Sequence, residues 1–171
     1  PLIEPVPRYE NDSSLTEICR RVGYSDDLTA ALAASVFGPA SGLRVRKHQA
    51  ESLETSLSEV EPYNTVVTAG TGSGKTECFL LPIFARLLEE SLGWDSIAPQ
   101  QQDSYWWQDL SDPPTFRAVR AGQQRDSAVR AIILYPTNAL VEDQITRLRR
   151  AVDQGGTASD FLRGNRIYFG R

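Results

Sequence analysis

The chain has 171 residues, 40% of them hydrophobic, and a formal net charge of −4. That is enough to bury one core or slightly more, and it is too acidic for a general nucleic-acid coat. Two cysteines and a single histidine exclude a disulfide framework and a tetrahedral Cys/His zinc site, and no run approaches the ~20 apolar residues a membrane helix requires.

Residues 1–11 are proline-rich and read as an extended arm without a secretory pattern, which predicts a cytoplasmic protein. Leu15, Ile18, Cys19 and Val22 give a short amphipathic helix over 13–22, capped by Asp12 or Ser13 and stopped by Gly23. Leu28, Leu32 and Val36 predict a second helix over 26–37, ended by Gly38-Pro39. These make a helical preface, residues 1–42. A third helix fits 46–57, and after the turn at 59–64 the β-branched run Thr65-Val66-Val67-Thr68 reads as a short, fully buried strand.

Ala69-Gly70-Thr71-Gly72-Ser73-Gly74-Lys75-Thr76 follows that run and opens a helix predicted to reach about Glu90. It fits a phosphate-binding P-loop, with alanine at the first position where glycine is usual. Glycines let several backbone N–H groups converge on phosphate oxygens, and the helix turns its positive end to the same anion. Thr71, Gly72, Ser73 and Gly74 would line that cradle, Lys75 would reach the outer phosphates, and Thr76 would ligate Mg²⁺ beside the nucleoside triphosphate. The bland alternative is a glycine-rich turn without a ligand. The helix itself is apolar nearly all round, which predicts deep packing, and Pro82 inside it should remove a backbone hydrogen bond or kink the axis.

Residues 91–129 lose periodicity and carry Trp94, Tyr105, Trp106 and Trp107, too long a stretch for an ordinary connection, so they read as an insertion. A buried strand is expected at Ala131-Ile132-Ile133-Leu134-Tyr135, followed by Pro136-Thr137-Asn138 and a helix with Val141, Ile145, Leu148 and Val152 on one stripe. Ile167-Tyr168-Phe169 reads as a further strand. Strand, helix, strand, helix, strand predicts an α/β fold with a parallel sheet and right-handed crossovers. Charge is unevenly spread: residues 1–116 hold eight Lys/Arg against seventeen Asp/Glu, and residues 117–171 hold ten arginines against five acids. The basic final third either presents a phosphate-binding face or decorates solvent-facing helices.

Three blocks, Arg46-Lys47-His48-Gln49, Thr68 to Glu77 and Ile133 to Leu140, together resemble the first RecA-like motor lobe of superfamily 2 helicases of the DEAD/DEAH-box type. The resemblance covers about residues 43–171 and implies an incomplete RecA-like P-loop NTPase lobe, with Pro82 a family feature. It also implies ATP and Mg²⁺ as cofactors, with Lys75 and Thr76 as catalytic residues. Gln49, placed as the family places its adenine-reading glutamine, would select ATP through paired donor and acceptor bonds, with Arg46 supporting the base or ribose. Pro136-Thr137-Asn138 resembles motif Ia, which grips a phosphate of the bound strand; asparagine stands where the family often has arginine, and Thr137 or Asn138 could equally cap the following helix. Leu134 to Gln144 is similar to large prokaryotic helicases, some of them in phage-defence systems. The implied partners are nucleic acid, DNA before RNA, a second RecA-like lobe and other subunits of a defence complex.

Trp106-Trp107 with Arg117 and Arg120 could stack on unpaired bases or dock another domain; the acidic surroundings favour docking. No Asp-Glu pair follows an apolar run, and Glu142-Asp143 falls on a helix, so the acid that would complete a Mg²⁺ site is missing and residues 1–171 alone should not hydrolyse ATP efficiently. The absent methionine and the last residues Tyr168-Phe169-Gly170-Arg171 are expected of a piece of a longer protein. The reading is the N-terminal part of an ATP-dependent helicase or translocase. Its rivals are another P-loop machine, such as a small-molecule kinase or chaperone-type ATPase, and a nucleotide-gated scaffold without strand separation.

Overall fold

Asn11–Ser14 (β1) is extended and pairs antiparallel with Arg44–Arg46 (β2), with Ser13 opposite Val45, Ser14 opposite Arg44 and a bulge between Asn11 and Ser13. This two-stranded sheet belongs to a computed structural model that describes residues 9, 11–38, 42–58, 64–97, 125–136, 138–153 and 160–170. The chain forms two compact units, residues 1–86 and 87–171.

In the first unit the pairing of β1 moves the start of the first helix. Residues 11–14 are held in the ladder and Leu15 N–H donates to Leu43 O at 3.1 Å. Helix α1 is therefore Leu15–Arg21, with Ser14 as its cap, accepting from Glu17 N–H, rather than Asp12 or Ser13. Gly23, at φ +83°, closes α1: Gly23 N–H reaches Arg20 O and Tyr24 N–H reaches Cys19 O at 2.9 Å, the double bond of a Schellman end. Helix α2, Asp26–Phe37, matches the sequence reading. Ser25 accepts from Leu28 N–H, Asp26 and Asp27 complement the dipole, and Gly38 at φ +86° ends it.

Helix α3, Lys47–Leu57, starts where β2 stops, and the Gln49 side chain accepts the Arg46 backbone N–H at 2.9 Å, one half of a capping box. Helix α4, Lys75–Ser91, carries Pro82 in its interior. Proline has no N–H for the carbonyl four residues back, which is Cys78 O. Ser52 of α3 supplies the missing donor, its Oγ lying 2.7 Å from that carbonyl in a buried contact. Leu15, Ile18, Leu32, Val45, Leu53 and Leu81, all essentially fully buried, make the apolar interior of this unit. The two cysteines are free and buried, and burial pushes both thiols above the ordinary value.

The second unit holds the end of α4 and helix α5, Asn138–Asp153, the helix expected after the second apolar run. Leu88, Trp94, Ala151 and Leu162 are buried there. The apolar runs at 65–68, 131–135 and 167–169 differ from expectation: among the described residues none is a strand, and Val66, Ile132 and Leu134 are 84, 77 and 87% exposed. β-Branched composition reports fitness for a pleated, half-buried surface and cannot supply the neighbouring strand that a ladder requires. The sheet among the described residues is instead the β1–β2 pair, which the polar sequences Asn-Asp-Ser-Ser and Arg-Val-Arg did not announce. Most of the predicted insertion, with Tyr105, Trp106, Trp107, Arg117 and Arg120, lies outside the described residues, as do residues 1–8 of the arm. No helix among the described residues is long and apolar enough to cross a membrane.

Candidate functional site

The glycine-rich loop occupies residues 69–74 and runs directly into α4 at Lys75. Gly72 and Gly74 sit at φ +73° and +78°, a region that side chains with a Cβ adopt only with strain, so the two glycines set the course of the loop. Around Gly72 a Cβ would meet nothing within 4 Å, whereas one on Gly74 would come within 2.4 Å of Gln49 Nε2. The last glycine is thus required twice, for its backbone angle and for the approach of the glutamine.

Three side chains at the start of α3 hold three successive carbonyls of this loop. Arg46 Nη1 donates to Gly72 O at 2.8 Å, His48 Nε2 lies 2.8 Å from Ser73 O, and Gln49 Nε2 donates to Gly74 O at 3.0 Å. In a trans peptide the C=O and the next N–H point in opposite directions. Anchoring these oxygens to α3 therefore turns the N–H groups of Ser73, Gly74 and Lys75 away from it. Ser73 N–H also makes a long contact within the loop, to Gly70 O at 3.4 Å. Amides converging at a helix N-terminus are what an anion needs.

Lys75 closes the loop on itself, its Nζ 2.6 Å from both Ala69 O and Gly70 O. Phosphate oxygens would offer that ammonium stronger, charge-assisted partners than neutral carbonyls do. Ser73 Oγ is fully buried without a hydrogen-bond partner, and Thr71 and Gly72 are exposed while Thr76 is half-buried at the first turn of α4. These residues fit a triphosphate tail with its magnesium: a glycine-shaped loop, a helix N-terminus, a lysine and a threonine hydroxyl. No cluster of three His, Cys, Asp or Glu side chains that could hold a metal by itself occurs among the described residues.

Gln49 is 5% exposed, with Oε1 on the Arg46 amide and Nε2 on the loop. Each amide atom retains one further bonding position. Arg46 spans Gly72 O and the ring of Tyr9, whose centroid is 5.4 Å from the guanidinium carbon. Sequence reasoning missed Tyr9, Ser52 and the part His48 takes; only the position of His48 inside the motif block was a signal.

In the second unit, Pro136 is exposed and Asn138 begins α5; Thr137 and the side chain of Asn138 lie outside the described residues. Among the described residues, four arginines of the basic final third have local partners. Arg130 makes a two-pronged bond to Glu90, at 2.7 and 3.1 Å, which holds the Glu90 carboxyl below its usual pKa. Arg163 donates to Ser91 O and Leu92 O at the carbonyl end of α4, where the helix dipole favours a cation. The guanidinium of Arg125 lies over the Trp94 ring, 3.7 Å from its centroid, and donates to Arg166 O. On α5 Arg147 lies one turn from Asp143, at 3.6 Å.

A glycine-rich loop held by side chains of the preceding helix, and feeding a helix that starts Lys-Thr, marks a P-loop protein. Comparison with known proteins names the kind. The DEAD/DEAH box helicase family matches residues 46–167. The chain is 35% identical over 166 residues, 97% of its length, to the Druantia protein DruE of Escherichia coli, and 31% identical over 99 residues, 58% of its length, to the mitochondrial ATP-dependent RNA helicase MRH4 of Lodderomyces elongisporus. It spans 7% and 13% of the lengths of those two relatives. No solved structure matches it. The chain belongs to the DEAD/DEAH box helicase family, whose motor lobes have a RecA-like fold.

Proposed function

We propose that this chain is the N-terminal part of an ATP-dependent motor that moves along nucleic acid, with residues 1–42 a helical preface and residues 43–171 the first part of the motor lobe, interrupted at about 91–129. The observation that carries the nucleotide part is the row of carbonyls of Gly72, Ser73 and Gly74 tied to Arg46, His48 and Gln49, which turns the following amides toward an anion. Gln49 would read adenine with the free half of its amide, while Arg46 supports the base or ribose. Thr71, Gly72, Ser73 and Gly74 would cradle the phosphates, Lys75 would stabilise their charge, and Thr76 would hold the metal. Magnesium delivered with ATP would neutralise charge on the outer phosphates.

Pro136, Thr137 and Asn138, ahead of α5, are the proposed grip on a strand phosphate. In the motor lobe the apolar runs at 65–68, 131–135 and 167–169 would take up a parallel sheet once neighbouring strands are present. No Asp-Glu pair follows an apolar run in residues 1–171. That acid, and a second RecA-like lobe, would lie elsewhere in a longer protein, without which this part would not turn over ATP efficiently. DNA is the preferred track, in a cytoplasmic antiviral complex with other subunits; the resemblance of residues 134–144 to large prokaryotic helicases, some of them in phage-defence systems, supports the antiviral part, and the similarity to a protein of Escherichia coli fits a bacterial one.

The test is ATP turnover by the full-length protein, with and without single-stranded DNA or RNA, in wild type and Lys75→Ala. Stimulation by DNA above RNA, abolished in the variant, is the expected result. Turnover with RNA alone would move the track to RNA. Turnover indifferent to either would favour another P-loop enzyme, and MgATP binding without turnover would favour the nucleotide-gated scaffold.

A further inference from the structure

His48 lies in the block that holds the loop, and Tyr9 belongs to the arm before β1; neither has a part in base reading or metal binding as proposed above. Ser73 O can only accept, so the His48 nitrogen 2.8 Å from it, Nε2, carries a hydrogen and donates. The Tyr9 hydroxyl accepts the Gly70 N–H at 2.9 Å. Gly70 and Ser73 are the two ends of one turn, closed by Ser73 N–H on Gly70 O at 3.4 Å. The two rings that hold those ends touch edge to face, with centroids 5.5 Å apart and planes at 69°. A Cβ on Gly70 would fall 2.9 Å from the Tyr9 hydroxyl, so glycine is needed there for the tyrosine to approach. The Arg46 guanidinium over the Tyr9 ring and the Cys78 thiol on the His48 carbonyl, 3.8 Å away, fix the pair against β2 and α4.

We propose that His48 and Tyr9 form an aromatic brace for the phosphate loop: positioning residues that hold both ends of the Gly70–Ser73 turn and so keep the Gly74 amide aimed at the nucleotide. The Gly74 N–H shares its peptide plane with Ser73 O. Releasing Ser73 O lets that plane rotate, and the amide leaves the anion. The side-chain hydrogen bonds of the brace go to loop main-chain atoms, so they serve any nucleoside triphosphate equally, unlike Gln49.

This inference rests on the nucleotide reading above, and the experiment separates the two. In the full-length protein, the affinities for MgATP and MgGTP are measured for wild type, His48→Phe, His48→Gln, Tyr9→Phe and Lys75→Ala. Loss of one hydrogen bond predicts that His48→Phe and Tyr9→Phe each weaken both nucleotides by the same factor, roughly three- to tenfold. His48→Gln, which returns a donor at a similar reach, restores binding to within about twofold of wild type. Tyr9→Phe removes one oxygen and retains the ring, so it keeps the test open should His48→Phe fail to fold. Unchanged binding in Tyr9→Phe and His48→Phe, a loss confined to MgATP, or a His48→Gln protein as weak as His48→Phe overturns the brace while leaving the nucleotide reading in place. A wild type that binds MgATP no better than Lys75→Ala overturns both.

Discussion

Replacing Ser52 with alanine tests whether the interior of α4 depends on a donor from α3. Pro82 cannot donate to Cys78 O, and Ser52 Oγ, 2.7 Å away, does so in its place. Ser52 and Cys78 are 4 and 3% exposed, so Ser52→Ala leaves a carbonyl that water does not readily reach. Orphaning a buried acceptor costs about 1–3 kcal/mol. That cost is local to the first half of α4, and amide hydrogen exchange reads it there: peptides covering residues 75–85 should exchange roughly five- to hundredfold faster in Ser52→Ala. The decisive comparison adds Pro82→Ala, which returns a backbone N–H to the carbonyl. In that background Ser52→Ala should cost less than about 0.5 kcal/mol, because the helix then satisfies itself, and the difference between the two backgrounds is the coupling energy. Equal effects with proline and with alanine at position 82, or unchanged exchange in Ser52→Ala alone, would refute the reasoning.

Gly74→Ala should weaken MgATP at least tenfold and erode any preference over MgGTP, since the new methyl collides with Gln49 Nε2; Gly72→Ala, with only the backbone strain of about 1–2 kcal/mol to bear, should weaken both nucleotides and keep the preference. Arg130→Ala should destabilise the second unit only slightly, because its pair with Glu90 is open to solvent, with side chains 31 and 36% accessible. Because Glu90 titrates below its ordinary value in the folded protein, its contribution is fully present above the unfolded glutamate pKa of about 4.3 and is lost as pH falls through the lower folded value. A denaturation series in acid should show that loss in wild type and not in Glu90→Gln. Arg125→Ala removes the guanidinium stacked on Trp94 and should cost about 0.5–2 kcal/mol, read as faster exchange at residues 91–97.

What could be read in advance followed the range of the interaction. Helices α1 to α4 were legible because their signals are local: Gly23 and Gly38 at the ends of the first two, and apolar residues at helical spacing. Gly72 and Gly74, Lys75 and Thr76 were legible because the loop is contiguous, and Gln49 because the motif order fixes its distance from the loop. Ser52 on Cys78 O, 26 residues apart, and Tyr9 on Gly70, 61 residues apart, were not, since a serine in a helix and a tyrosine in a proline-rich arm have no pattern that names a partner. The pairing of Asn11–Ser14 with Arg44–Arg46 escaped for the same reason. The apolar runs at 65–68 and 131–135 erred in the other direction: strand propensity is intrinsic, while a strand is a relation between two segments.

That difference bears on how the candidate site keeps its shape. In a lobe whose loop was positioned solely by the strand before it, residues 69–74 would follow that strand, and here Val66 before the loop is exposed and unladdered. The loop nevertheless has a defined course, with two glycines at positive φ, three carbonyls on α3 and one amide on Tyr9. Its geometry is therefore set from the side of α3 and the arm, by hydrogen bonds to main-chain atoms that any residue would present, with glycine required where the backbone angle or close approach demands it. On the proposed reading, in which Gln49 reads adenine, α3 would link the base and the phosphates through one segment. The segment feeding the loop, residues 65–68, can then change its pairing without first dismantling the loop's contacts with α3 and Tyr9.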